Sequence, residues 1–432
     1  MMFKNNRVVK NAAWIISCRI IQALLSFLIG ILCARYLGPS NYGTINYASS
    51  IAAFMIPLVQ LGLRSTLVHE IISNPEKEGI ILGTSIGMST LASLLGIAGI
   101  VAFTSIANQN EPDTIAVCIL YSISLIFQAL EMIEYWFQAK LLSKYVAVTS
   151  LLAYALVSVY RIFLLVTGKS VFWFALSQAL DYFIIAALLV VIYKKIGGHN
   201  LAVSFSVAAN LFSRSRHYIV SGIMVTFFSL TDRVMITIMM GEEANGYYAA
   251  AITCADISRF VFAAIVDSAR PSIFEEKKVG SPNYEREVSR LFSIIIYLGL
   301  VQSVFLTIGS SVAIHVLYGS AYYPAVNVLK IITWYTAFAY IGSVRNIWIL
   351  AEQRQNVLWK INLTGAVLNV VANYLLIPAF GIEGAAVASV VAQFFTNFGL
   401  CFLIKPIRPV SKLIWDGVNP SNLKNLWWKK EK

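Results

Sequence analysis

The chain has 432 residues, 58% of them hydrophobic and only 12% charged, with a mean hydropathy of +0.72. A soluble globular protein carries about 25% charged residues, so a soluble domain is excluded; apolar runs of about 20 residues recur throughout, each able to cross a ~30 Å hydrocarbon core as a helix. Helical runs of this length exclude a β-barrel, and the formal charge of +12 sits in alternate short loops, as in a polytopic membrane protein, which makes a nucleic-acid partner unnecessary.

In chain order, the basic stretch MMFKNNRVVK leads into an apolar run too long for a signal-peptide core and without a clear cleavage site, so it opens the first, retained span. Twelve spans are predicted: 11–34, 42–63, 80–104, 114–137, 145–166, 171–193, 216–240, 247–270, 291–317, 326–351, 357–379 and 382–404. Their connections are short, with longer loops near 194–215 and 271–290. The N-terminal tail, the even-to-odd loops and the C-terminal tail hold or border 24 of the 33 Lys and Arg, whereas the odd-to-even loops hold only Arg35 and Lys169. By the positive-inside rule both termini face the cytoplasm.

LGPSNYG (37–43) fills the first outer loop, and MGEEANG (240–246) the fourth. A shift of 203 carries Gly38 onto Gly241 and Gly43 onto Gly246. A shift of 212 carries WFQAKLLSKY (136–145) onto WILAEQRQNV (348–357), matching Trp136 to Trp348 and Ala139 to Ala351. Spans 1–6 and 7–12 therefore read as two parallel copies of one six-helix unit, a known transporter plan. The limits are 1–200 and 201–405, followed by a basic cytoplasmic tail, 406–432. Locally each glycine pair serves a tight hairpin, and Pro39 blocks helix continuation.

Cys18, Cys33, Cys118, Cys254 and Cys401 all fall in or at the ends of apolar runs, without metal-ligand spacing, and are expected as buried thiols. Gly79, Gly83 and Gly87 form a small-residue stripe expected to pack closely on another helix. No metal site and no GxxxxGK nucleotide loop is expected. Asn362-Leu-Thr364 matches a glycosylation sequon but lies inside a span.

ARYLGPSNYG (34–43), MGEEANGYYAAA (240–251) and NYLLIPAFGIEGAAVAS (373–389) together resemble the turn and hallmark segments of the Wzx-type O-antigen and polysaccharide flippases of the multidrug/oligosaccharidyl-lipid/polysaccharide superfamily. The resemblance covers essentially the whole chain. It implies an all-α membrane protein of twelve helices, in two pseudo-symmetric six-helix bundles around a central cavity. It implies transport of an undecaprenyl-pyrophosphate-linked oligosaccharide, with no cofactor and no catalysis, in a prokaryotic plasma membrane. It also implies membrane lipids, a polysaccharide polymerase and chain-length proteins as partners.

Ionisable residues inside spans are the candidate site. Arginines occur at Arg19, Arg161, Arg233, Arg259 and Arg345, and acids at Glu131, Glu134, Asp181, Asp232, Asp256 and Asp267. Five arginines facing lipid would cost on the order of 12–17 kcal/mol, so they are expected in a watery cavity or paired. Asp256 and Arg259, three apart, are a candidate pair. Glu131, Glu134 and Asp267 lie near cytoplasmic ends, where snorkelling suffices. Arg19 and Arg161, isolated in sequence from acids, are the strongest candidates for an anionic head group, since guanidinium donates bidentately to phosphate. Asp181, Asp232 and Asp256 are candidates for ion coupling. Two other readings are a cation-coupled antiporter, which wants an acid-dominated site, and a membrane-embedded enzyme, which wants a sizeable outer loop.

Overall fold

A computed structural model describes residues 6–420, all of whose regular elements are helical. The last twelve residues of the basic tail and the first five of the chain lie outside the described residues. Contacts divide the chain into two units that meet within one helix, between Leu230 and Thr231.

The first unit contains α1 (Asn6–Val59), α2 (Leu63–Ser73), α3 (Glu78–Ala107), α4 (Pro112–Ser122), α5 (Ser124–Leu130), α6 (Ile133–Ala139), α7 (Ser143–Val166), α8 (Val171–Ile196) and the start of α9 (Phe205–Met240). α1 holds two predicted spans joined at Gly38, whose φ of 72° and ψ of 172° leave the helix. α7 and α4 pack on α1, and α8 packs on α4, α5 and α7. Leu63, Leu67, Leu82, Trp136, Phe137 and Leu189 form a core at one end. There Glu78 gathers Lys140, at 2.7 Å, and His199, at 2.6 Å.

The second unit contains the end of α9, then α10 (Glu242–Ala255), α11 (Arg259–Val279), α12 (Tyr284–Tyr318), α13 (Ala325–Ala351), α14 (Leu358–Phe394), α15 (Leu400–Leu403) and α16 (Arg408–Val418). α13 packs against α10, α12 and α14. α14 holds two more predicted spans, joined at Gly381 (φ 61°, ψ −141°). Val288, Phe292, Val344, Trp348 and Ile361 centre its core.

Among the described residues nine helical stretches are long and apolar enough to cross a membrane. Two of them contain the Gly38 and Gly381 corners, and α13 supplies the tenth predicted span, so all twelve have a helix.

Three expectations change. The loop near 194–215 is mostly helix, because α9 begins at Phe205, and α11 runs on to Val279. The tail beyond 405 opens with α16, whose Val410, Leu413 and Ile414 are buried against the second core. The Gly79/Gly83 stripe packs on the non-helical chain that leads into α9 instead of on a helix. A Cβ on Gly79 would stand 2.4 Å from the Asn200 carbonyl oxygen, and one on Gly83 2.4 Å from that of Ala202. The connection to α9 thus lies in a groove that only glycines leave open. The Ala202 N–H donates to the Gly79 carbonyl at 3.3 Å, and the Ser204 N–H to the Thr84 hydroxyl at 3.0 Å. The five cysteines are free and buried, as expected.

Candidate functional site

Two glycine corners build the main polar cluster of the second unit. Gly241 (φ 88°, ψ 173°) reverses the chain between α9 and α10, and Gly381 reverses it within α14. Residues at similar distances on either side of each corner then face one another. Asp232 and Tyr248 come from the first hairpin, Asn373 and Ser389 from the second. The Asp232 side chain is buried and accepts from Tyr248 Oη at 2.8 Å, from Asn373 Nδ2 at 2.7 Å and from Ser389 Oγ. Asn373 Nδ2 also donates to Asn369 Oδ1 at 3.1 Å, while its own Oδ1 is buried without a protein partner. The three donors tie α10 and both arms of α14 to α9 at this one buried side chain.

Beside it, the Asp256–Ser258 turn interrupts the predicted eighth span. The expected Asp256–Arg259 pair forms there loosely, at 3.7 Å, with Arg259 largely exposed. The charges of both Arg259 and Arg233 act on Asp256. Arg345 stands apart. It is only 2% exposed, and its Nη1 donates to the Thr396 carbonyl at 2.7 Å and its Nη2 to Asn346 at 2.9 Å.

In the first unit Arg161, isolated in sequence, meets the next helix. Its Nε donates to Ser177 at 2.9 Å and its Nη2 approaches Gln178 at 3.4 Å. One turn further along α8 is Asp181, which is buried and feels the Arg161 charge. Glu131, between α5 and α6, lies within electrostatic reach of Asp181 and Glu134. Arg19 is exposed, and it and Arg64 act on Glu134. Asp267 pairs with Arg270 at 3.0 Å, both largely exposed.

The structure thus joins Asp232, Arg233, Asp256 and Arg259 in one region, and Arg161 with Asp181 in another. Sequence reasoning missed Tyr248, Asn369, Asn373 and Ser389. A signal existed: Tyr248 belongs to MGEEANGYYAAA, and Asn373 and Ser389 begin and end NYLLIPAFGIEGAAVAS.

Over residues 8–277 the chain matches the family described as polysaccharide biosynthesis protein. It is 21% identical over 415 residues to the capsular polysaccharide biosynthesis protein CapF of Staphylococcus aureus, covering 93% of this chain and 100% of that one. It is 25% identical over 220 residues to the probable low-salt glycan biosynthesis flippase Agl15 of Haloferax volcanii, covering 49% and 46% of the two. The chain spans about half the length of two of the curated relatives it matches. Among solved structures, the lipid II flippase MurJ in an inward closed conformation matches with a TM-score of 0.74 at 14% identity, over 96% of this chain and 93% of that one. This chain belongs to the polysaccharide biosynthesis protein family and has the fold of the multidrug/oligosaccharidyl-lipid/polysaccharide superfamily of membrane transporters.

Proposed function

We propose that this protein is a flippase for an undecaprenyl-pyrophosphate-linked oligosaccharide, a repeat unit of O-antigen or another surface polysaccharide. It carries the unit from the cytoplasmic to the outer leaflet of a prokaryotic plasma membrane by alternating access, with both termini in the cytoplasm and without covalent chemistry. It works alongside a polymerase and chain-length proteins. The observation that carries this reading is the match to the polysaccharide biosynthesis family by a chain whose membrane helices hold fixed arginines.

Arg161 is braced through two of its five N–H donors, by Ser177 and Gln178, which leaves others for a phosphate fork. Arg19, Arg233 and Arg259 are further candidates for contact with an anionic head group. Arg345, enclosed by Thr396 and Asn346, is the remaining candidate. Asp232 is the leading ion-coupling group: its carboxylate and the unpartnered Asn373 carbonyl are both oxygen donors suited to a small hard cation. Asp181 and Asp256 are the further candidates. A head group of charge about −2 leaving a negative-inside cell gains roughly 4–5 kcal/mol per 100 mV, so voltage assists export.

The test is movement of a fluorescently tagged lipid-linked sugar across reconstituted vesicles. The protein is expected to render it accessible from the opposite face, and Arg161→Ala or Arg19→Ala to block this at unchanged protein level. Expulsion of a cationic dye with no movement of the sugar would establish a cation-coupled antiporter instead.

A further inference from the structure

The three loops that sequence charge places outside in the second unit converge on one groove, lined by Met240 beside Gly241, Tyr323 after Gly319, and Phe380 beside Gly381. Each turn has a glycine at positive φ: 88° at Gly241, 88° at Gly319 and 61° at Gly381. A Cβ on Gly381 would come within 3.2 Å of the Met240 methyl, so its absence lets the loops close on each other.

Two large rings on the groove are turned outward, Tyr323 at 70% and Phe380 at 66% exposure. With them runs a polar strip from α13 to the second arm of α14. Asn327 Nδ2 donates to Glu383 Oε1 at 2.9 Å, and Lys330 Nζ approaches Asn327 Oδ1 at 3.5 Å. The strip carries one positive and one negative group, joined by an amide, and so presents no net charge. An anion site would want an excess of cationic donors. A neutral strip of closely spaced donors and acceptors beside exposed rings has the chemistry of a saccharide site. The C–H face of a pyranose covers apolar ring surface, and its hydroxyls both donate to Glu383 and accept from Lys330 and Asn327.

We infer that this groove is an outer saccharide-binding site, which holds a neutral sugar of the translocated oligosaccharide after it crosses. The inference rests on the flippase reading for the source of the sugar, but not for the recognition chemistry. Captured there, the sugar is kept from retracing its path, and the groove favours export without touching the head group.

The probe is the cell's own oligosaccharide, released from its lipid carrier by mild acid and offered to the full-length protein in nanodiscs. Saturation-transfer NMR is expected to show contacts to sugar ring protons, falling at least fivefold in Tyr323→Ala and Phe380→Ala. Glu383→Gln, which keeps size, should weaken binding about tenfold in a titration. Elution as a single species by size exclusion checks that each variant folds. Unchanged signals in folded variants would overturn the inference. So would binding of glycerol phosphate in place of the sugar, which would make the groove a lipid-headgroup contact. Flipping of the tagged lipid-linked sugar with no oligosaccharide binding overturns this site and leaves the flippase intact. Binding without flipping does the reverse.

Discussion

The buried Asp232 side chain accepts from three donors on three other segments. Asp232→Asn preserves size but puts an amide donor where the carboxyl group only accepts. The expected result is a stability loss of about 1–3 kcal/mol, read as a lower melting temperature in detergent. Transport should fall at least tenfold and lose any dependence on the coupling cation; retention of that dependence would remove Asp232 from the coupling role. Ser389→Ala, which deletes one donor of the three, should give an intermediate phenotype. The acid itself was legible, because an ionisable residue stands out in an apolar run. Its partners were marked only by lying in the hallmark segments; their pairing with Asp232 was not legible, since Asn373 and Ser389 lie 141 and 157 residues away and are ordinary helix residues by type. Arg161 shows the same limit: its isolation in sequence disappears once α8 brings Ser177 and Asp181 beside it.

Among the helices, the glycine stripe of α3 was read with the right spacing and the wrong partner. A small-residue stripe reports a need for close approach, and a helix and an extended chain both satisfy it. Here the approaching backbone is the 199–204 connection, tied by Glu78 to His199 and by Gly79 and Thr84 to Ala202 and Ser204. Gly83→Ala would set a methyl against backbone, which cannot rotate away as a flexible side chain can, and overpacking of this kind costs about 1–3 kcal/mol. Amide exchange at Ala202 and Ser204 is therefore expected to quicken at least tenfold in that variant while the α3 interior is unchanged; equal protection in both proteins would mean the groove is not what holds the connection. A comparable dependence links α13 to the π-helical turn Phe395–Gly399. That turn offers the Thr396 carbonyl to Arg345, and Gly342 leaves room for the Asn397 side chain, to which a Cβ would come within 2.3 Å. Arg345→Ala should lower thermal stability by about 1.5–3 kcal/mol, and more than Arg161→Ala does. A larger effect at Arg161 would reverse that ranking.

At the scale of the whole chain, the repeat was visible in a few turn residues, and the backbone repeats with them. Leu141 and Gln353, 212 apart, both hold positive φ without being glycine, 58° and 54°. The hydrogen bonds around them correspond: Lys140 to Trp136 and Leu142 to Phe137 in one unit, Glu352 to Trp348 and Arg354 to Ile349 in the other. Gly38 and Gly241, 203 apart, share an extended ψ of 172° and 173°. The helical interiors retain no such legible match, because many apolar residues fill the same space equally well, whereas a corner with positive φ accepts few. The same alternation of turns fixes a definite expectation about sidedness. Ser320 follows the Gly319 corner, on the side poor in Lys and Arg, while Asn283 precedes α12 on the basic side, and both are exposed. The five native cysteines are buried, so background labelling should be low. In intact cells a membrane-impermeant maleimide is expected to label Ser320→Cys readily and Asn283→Cys only after permeabilisation. The reverse pattern would place the termini outside. It would also turn the groove toward the cytoplasm and so overturn its assignment as an outer saccharide site.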